Sequence, residues 1–187
     1  TGKSIGVHNP ILFFASERET VDEAWPGDII GIPNHGTLRV GDTLSESGNV
    51  IFTGIPNFAP EILRRVRLSD PMKQKHLARA LESLAEEGVT QLFKPVIGSQ
   101  WIVGVVGMLQ LDVLKSWLVA EYGLDAELEA SPYDSARWLQ GAEAEIEKFA
   151  EGNRGGMATD RDGAPVFLAK SAWELGYVTD KFPKVKM

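Results

Sequence analysis

Apolar positions along residues 101–123 change their period at one point, and this change predicts a strand followed by a helix. Residues 101–106 form a short apolar run rich in β-branched side chains, which is typical of a buried strand. After Gly107 the apolar residues recur at helical spacing, and Gly123 can take the left-handed conformation that ends a helix. The predicted apolar face of this helix is broad: Leu109, Leu111, Val113, Leu114, Trp117, Leu118 and Tyr122.

The segments on either side have the patterns of further strands and of one more helix. Apolar and basic residues alternate in residues 61–68, so that Arg65 and Arg67 lie on one side of a strand. Asp70 is a suitable N-cap and Pro71 a suitable first residue for the helix that follows. Two more strands are predicted, at residues 89–96 and 125–133.

The predicted order of elements is therefore strand, helix, strand, strand, helix, strand. This is the split βαβ, or ferredoxin-like, arrangement, and right-handed crossovers place both helices on one face of its antiparallel sheet. Residues 1–57 contain short predicted strands, including a pair around the turn Asn34-His35-Gly36, and indicate a partial β-barrel. In the last part of the chain we predict a strand at 136–139, a helix at 143–150, a hairpin within 157–169 and a short helix at 171–176.

The predicted fold class is thus α+β, in two domains. The first is a partial β-barrel at residues 1–57. The second, at residues 58–187, has a ferredoxin-like core at about 60–133 and an α/β extension at 134–187.

Composition narrows the functional classes without selecting one. The chain has 187 residues, of which 43% are hydrophobic and 24% charged, and no apolar run approaches the ~20 residues of a membrane span. It has no cysteine, so disulfides and thiolate chemistry are excluded. Its formal net charge of −7 argues weakly against binding to nucleic acid.

That average conceals one basic segment, residues 64–79. It has six basic residues and one acid, Asp70, so its charge is +5 and that of the remainder is −12. Basic residues near a helix start oppose the helix dipole, and free backbone N–H groups there bind anions. We expect the segment to bind phosphate, although a solvated basic face paired with acids elsewhere in the chain is an alternative. The candidate binding residues are Arg64, Arg65, Arg67, Lys73, Lys75 and Arg79.

Other motifs in the chain do not support a catalytic or metal site. Thr1-Gly2-Lys3-Ser4 resembles the end of a phosphate-binding loop, but the apolar run after Pro10 does not predict the helix that such a loop requires. Asp160-Arg161-Asp162-Gly163 is more typical of a hairpin turn than of a calcium loop. The three histidines lie in different predicted elements, without metal-ligand spacing. We assign no catalytic residue and no metal ligand.

Several segments resemble the bacterial class II peptide chain release factors, the translational GTPases of termination. The resemblance is strongest between residues 25 and 138 and weaker beyond residue 141. The matching segments from residue 52 onward are residues 52–61, 64–68, 70–75, 86–88, 91, 93–95, 102–104, 107–113 and 136–138. Residues 24–29 and 32–44 resemble the β-barrel that follows the GTP-binding domain in ribosomal GTPases.

The resemblance implies a C-terminal region that binds the ribosome, both its RNA and its proteins, in the cytoplasm. The family promotes departure of class I release factors after peptide release. The GTP-binding domain is expected before Thr1, so GTP and Mg²⁺ would bind there, and this chain itself is expected to hold no cofactor and to be no enzyme. The expected partners are the ribosome, the GTP-binding domain and, indirectly, the class I factor.

Two other interpretations remain open at this point. The chain could belong to another ribosomal GTPase of the translocation or ribosomal-protection type, which shares the barrel and the ferredoxin-like unit. Alternatively, it could be a regulatory module of ferredoxin-like fold that binds a small ligand, which predicts a ligand pocket.

Overall fold

The chain forms two compact units, Thr1–Ile55 and Pro56–Met187, and each is described by itself. The computed structural model describes residues 4–14, 17–20, 23–33, 38, 41–48, 50, 52 and 59–187. The predicted hairpin around Asn34-His35-Gly36 lies outside the described residues, as does most of the segment that joins the two units.

The first unit contains a small antiparallel sheet. Its strands are β1 (Ile11–Phe14), β2 (Glu17–Thr20) and β3 (Ile30–Gly31), arranged in the order β2-β1-β3. Both pairings of β1 are antiparallel. The apolar run after Pro10 thus forms a strand, in agreement with the short strands predicted for residues 1–57.

The second unit combines strands and helices in the predicted order. Its strands are β4 (Ile62–Leu68), β5 (Gln91–Pro95), β6 (Ile102–Val105), β7 (Ala126–Ala130), β8 (Ser135–Trp138), β9 (Met157–Asp160) and β10 (Pro165–Ala169). Its helices are α1 (Gln74–Glu86), α2 (Met108–Ala120), α3 (Glu143–Gly152) and α4 (Ala172–Lys181). A 3-10 turn, Pro71–Lys73, leads into α1, and a second one, Arg154–Gly156, precedes β9.

The first four strands of this unit have the ferredoxin-like order, β7-β4-β6-β5, and all their pairings are antiparallel. Strand β4 runs between β6 and β7, with Val66 opposite Leu128 and Leu68 opposite Ala126. The antiparallel sheet with its helices confirms the predicted α+β class. The alternation predicted for β4 is also confirmed, because Val66 and Leu68 are buried while Arg67 is exposed.

Helices α1 and α2 cover the same face of this sheet. Val66, Leu92 and Val103 of the sheet belong to one buried cluster with residues of both helices. The helical members are Leu77, Ala80, Leu81, Leu84 and Ala85 from α1, and Leu111, Leu114 and Leu118 from α2.

The breadth of the apolar face predicted for α2 was wrong. The side chains of Leu109 and Val113 are 78% and 43% exposed, so they lie outside the buried stripe. The helix is apolar over most of its circumference, and the sequence therefore does not mark which side the sheet covers.

The C-terminal extension continues the same sheet. Strand β9 pairs antiparallel with the outer edge of β5, and β10 and β8 follow, giving seven strands in the order β7-β4-β6-β5-β9-β10-β8. On the side away from α1, Leu63, Phe93 and Ile102 of the core pack with Val166 and Leu168 of β10. The predicted core and extension thus share one sheet and one apolar cluster.

Helices α3 and α4 pack on the remaining apolar surface of the extension. Phe149 of α3 contacts Phe167 and Phe182, with ring centroids 5.2 and 5.0 Å apart. Val178 of α4 is buried in the same cluster. The hairpin predicted around Asp162-Gly163 is confirmed: Asp160 accepts hydrogen bonds from the backbone N–H groups of residues 162 and 164, and Gly163 has a φ of 85°.

The close approach of β6 to its neighbours gives a test of this packing. A Cβ atom at Gly104 would lie 2.7 Å from Cβ of Pro60 and 2.9 Å from the ring of Phe93, both of which are buried. We expect Gly104→Ala to lower the free energy of unfolding by about 1–3 kcal/mol, the usual cost of overpacking. Urea unfolding followed by circular dichroism measures the change.

The matched control is Gly176→Ala in α4, where the added methyl group has no neighbour within 4 Å apart from the adjacent residues and the backbone of its own helix. It should raise stability by up to about 1 kcal/mol, because alanine favours a helix interior over glycine. Equal urea midpoints for the two variants would contradict the described packing.

Candidate functional site

Two arginines of the basic segment lie on the sheet face opposite to α1 and α2. In β4, Arg65 and Arg67 alternate with Val66 and Leu68, whose side chains pack beneath the two helices. The strand register sets Arg65 opposite Glu129 of β7 and Arg67 opposite Glu127. Opposite charges at facing positions of neighbouring strands attract each other.

Glu129 binds both arginines. Its Oε2 accepts hydrogen bonds from Nη2 and Nε of Arg65 at 2.7 and 3.2 Å, and its Oε1 accepts one from Nη1 of Arg67 at 2.9 Å. The hydrogen bond from Arg67, followed by that from Arg65, holds the pKa of Glu129 below its ordinary value. The hydrogen bond that Arg67 donates to Glu129 also raises the pKa of Arg67 above its ordinary value. Glu127 adds a longer contact, at 3.9 Å, to Arg67.

Lys73, Lys75 and Arg79 have different surroundings. All three side chains are exposed, and within the described part of the chain none of them forms an ion pair. Lys75 and Arg79 are four residues apart on α1, on the side away from the buried Leu77, and Lys73 ends the 3-10 turn. We call Lys73, Lys75 and Arg79 the helix cations.

The start of this helical segment is capped by an acid. Asp70 Oδ1 accepts a hydrogen bond from the backbone N–H of Met72 at 2.9 Å, as the sequence predicted for an N-cap. The cap satisfies one of the free N–H groups on which the anion-binding argument relied. The helix cations add positive potential to this region through their side chains.

The structure thus divides the six candidate residues between the two faces of the sheet. Arg65 and Arg67 are paired with acids on one face, and the helix cations extend from the helix that covers the other. Arg64 is half-buried, and its Nη1 donates to the carbonyl oxygen of Leu63 at 3.0 Å. A binding role for the six residues stays a prediction, and its strongest members are the helix cations, which lack intramolecular partners in the part of the chain described.

The other motifs considered in the sequence form no metal-binding site among the described residues. No group of three or more histidine, aspartate or glutamate side chains is placed to hold a metal ion among the described residues. The Thr1-Gly2-Lys3 part of the apparent phosphate-binding loop lies outside them, as does His35. His76 packs edge-on against Tyr122, with ring centroids 6.2 Å apart.

One exposed feature was missed by the sequence analysis. Trp173 and Tyr177 of α4 are stacked, with ring centroids 5.6 Å apart and planes inclined by 11°. We predicted that the last helix ends at Gly176, but α4 continues to Lys181. The helical spacing of the two aromatic residues, four apart, was the available signal.

Comparison with known protein families decides between the alternatives left open by the sequence. A family model described as "Class II release factor RF3, C-terminal domain" matches residues 52–179. The chain belongs to this family. A second model, "Elongation factor G domain 2", matches residues 1–47, in agreement with the predicted barrel unit. The RF3 match covers the ferredoxin-like core and most of the extension, so these two form one family domain.

The family assignment identifies the chain as a region of a translational GTPase concerned with protein synthesis. The resemblance to termination GTPases stated from the sequence is therefore confirmed. In the described residues of this RF3-like chain, no helix is both long and apolar enough to cross a membrane.

The ion pairs of Glu129 predict a pH-dependent contribution to the stability of the RF3-like domain. Glu129→Gln should lower the free energy of unfolding at pH 7, because three charge-assisted hydrogen bonds are weakened. The folded-state pKa of Glu129 lies below the ordinary value of 4.5, so this stabilisation is complete above pH 4.5 and disappears as the pH falls through the folded-state value. Urea unfolding at a series of pH values measures it.

Glu82→Gln is the control, because Glu82 is exposed and forms no ion pair in the described part of the chain. A stability difference between Glu129→Gln and the parent chain that stayed constant from pH 7 to below the folded-state pKa would show that the carboxylate charge is unimportant.

Proposed function

We propose that this chain is the ribosome-binding C-terminal region of a termination GTPase that promotes departure of class I release factors after peptide release. The observation that carries the proposal is the RF3 match over residues 52–179, a domain on which the helix cations are exposed and unpaired within the described residues. In the cell we expect the chain in the cytoplasm, where its partners are ribosomal RNA and proteins.

The net charge of −7 does not oppose docking of this surface on RNA. At physiological ionic strength the Debye length is about 8 Å, so acids farther away than this are largely screened from the helix cations. A phosphate approaching the start of α1 therefore meets the three helix cations and the Asp70 carboxylate, a side-chain charge of +2, rather than the average of the chain. Phosphate contacts of this kind position a protein on RNA without reading its sequence.

We further propose that GTP and Mg²⁺ act outside these residues. No segment of the chain matches a complete phosphate-binding loop. Both family models that match describe domains of translational GTPases other than the GTP-binding domain. The chain itself would then be no enzyme, and its role would be to link the state of a GTP-binding domain to ribosome contacts. The barrel match alone would also suit a translocation factor, whereas the RF3 match favours termination.

Removal of the helix cations tests the ribosome-binding surface. We expect Lys73→Ala, Lys75→Ala and Arg79→Ala together to weaken binding of the chain to purified ribosomes by about tenfold or more, or at least about 1.4 kcal/mol. If three phosphate contacts are lost, the slope of log K against log salt concentration should fall by about 2 to 3. Sedimentation with ribosomes at several salt concentrations measures both quantities.

The matched control is Lys115→Ala, Lys148→Ala and Arg154→Ala, which removes the same charge from exposed sites elsewhere in the domain. It should leave the affinity and the salt slope close to those of the parent chain. Equal losses in the two triple variants would mean that net charge, rather than this surface, governs binding, and would remove the helix cations from the proposal.

A further inference from the structure

We propose that the outer side of α4 is a second RNA-binding site, at which an unpaired nucleobase stacks on Trp173. The site consists of Trp173, Tyr177 and Lys181, spaced four residues apart along one side of the helix. We call these three residues the aromatic stripe. The inference goes beyond the proposed function, because it concerns another element and a different kind of contact.

The fold does not require the aromatic residues of the stripe. The side chains of Trp173 and Tyr177 are 77% and 53% exposed, and neither belongs to an apolar cluster of the domain. Helix α4 is held instead by Val178, which is buried, and by the partly buried Leu175. An exposed stacked pair contributes only about 0.5–1.5 kcal/mol beyond its buried area. Stability therefore gives little reason for two large aromatic rings in solvent.

The geometry of the stripe suits a planar ligand. The two rings are nearly parallel, so the free face of Trp173 continues the direction of the stack. Lys181 closes the other end, with its Nζ 5.7 Å from the centroid of the Tyr177 ring. Proteins that bind single-stranded nucleic acid combine such stacking platforms with cations that contact the backbone.

The local charge also favours an RNA ligand over an apolar protein surface. Residues 170–187 contain four lysines and two acids. One lysine, Lys184, is paired with Glu145 of α3 at 2.9 Å, so the other side chains carry a charge of +1 in a chain whose net charge is −7. One of the acids, Glu174, is engaged at the start of α4, where Oε2 accepts the backbone N–H of Lys170 at 2.6 Å. The other, Asp180, is exposed beside the stripe and opposes a nearby phosphate.

Binding of fluorescently labelled single-stranded rA12 to the full chain tests the site by fluorescence anisotropy. Trp173→Leu should weaken binding about tenfold, within the range of base–aromatic stacking, whereas Trp173→Phe should keep it within about threefold. Asp180→Asn should strengthen binding, and Lys181→Gln should reduce its salt dependence. All these side chains are exposed, so circular dichroism should show an unchanged fold.

Two controls separate this site from the helix cations. Trp25→Leu removes a tryptophan that is 73% exposed in the first unit, and it should leave rA12 affinity unchanged. The Trp173→Leu effect should also persist when Lys73, Lys75 and Arg79 are replaced by alanine. Loss of binding at one proposed site can then be distinguished from loss of binding at the other.

Three results would overturn the RNA proposal. The first is equal affinity for rA12 and for duplex RNA of the same length. The second is unchanged rA12 binding by Trp173→Leu. The third is retained ribosome binding by Trp173→Leu together with its loss in Trp173→Glu, which would identify an apolar protein contact, since leucine preserves such a contact and cannot stack.

Discussion

Burial of β5 on both faces is the constraint on which the second unit depends. Leu92 and Phe93 are consecutive, so their side chains extend to opposite faces of the sheet, and both are almost fully buried. A four-stranded ferredoxin-like sheet in the observed order would leave β5 as an open edge. Strand β9 pairs with that edge, so the backbone groups of β5 are hydrogen-bonded rather than exposed. The pairing also brings apolar side chains of β10 into the buried cluster that contains Phe93. The extension is therefore part of the core architecture.

This arrangement decides which surfaces remain for partners. Helices α1 and α2 cover one face of the sheet, and the extension packs against part of the other. Beyond that packing, the C-terminal half of β4 carries Arg65 and Arg67, which Glu129 of the neighbouring strand binds. Among the described residues, the outer sides of the helices are among the exposed polar surfaces of the second unit. Both proposed contacts, on α1 and on α4, lie on such surfaces.

The sequence predicted the order of elements because each periodic segment has clear limits. Asp70 and Pro71 mark a helix start, Gly123 follows the end of α2 with a φ of 61°, and the hairpin turns near Gly163. The register of β4 against β7 could not be predicted, since it depends on packing between residues that are about sixty positions apart. A sum of charges along the chain therefore groups residues that lie on opposite faces of the sheet. The adjacent apolar residues Leu92 and Phe93 were an unused signal of a strand buried on both sides.

Two properties of each cation, its ion pairing and its place relative to the helix dipole, distinguish structural residues from residues available for binding. Arg65 and Arg67 are compensated within the domain, because Glu129 accepts hydrogen bonds from both. Lys73 and Lys75 lie near the positive end of the α1 dipole, where a cation costs about 0.3–1 kcal/mol, and in the part of the chain that the structure describes no acid forms an ion pair with them. Charges that oppose their own helix and form no ion pair there support the proposal that this surface contacts an external anion. This argument depends on position and pairing, and it therefore holds in a chain whose overall charge is negative.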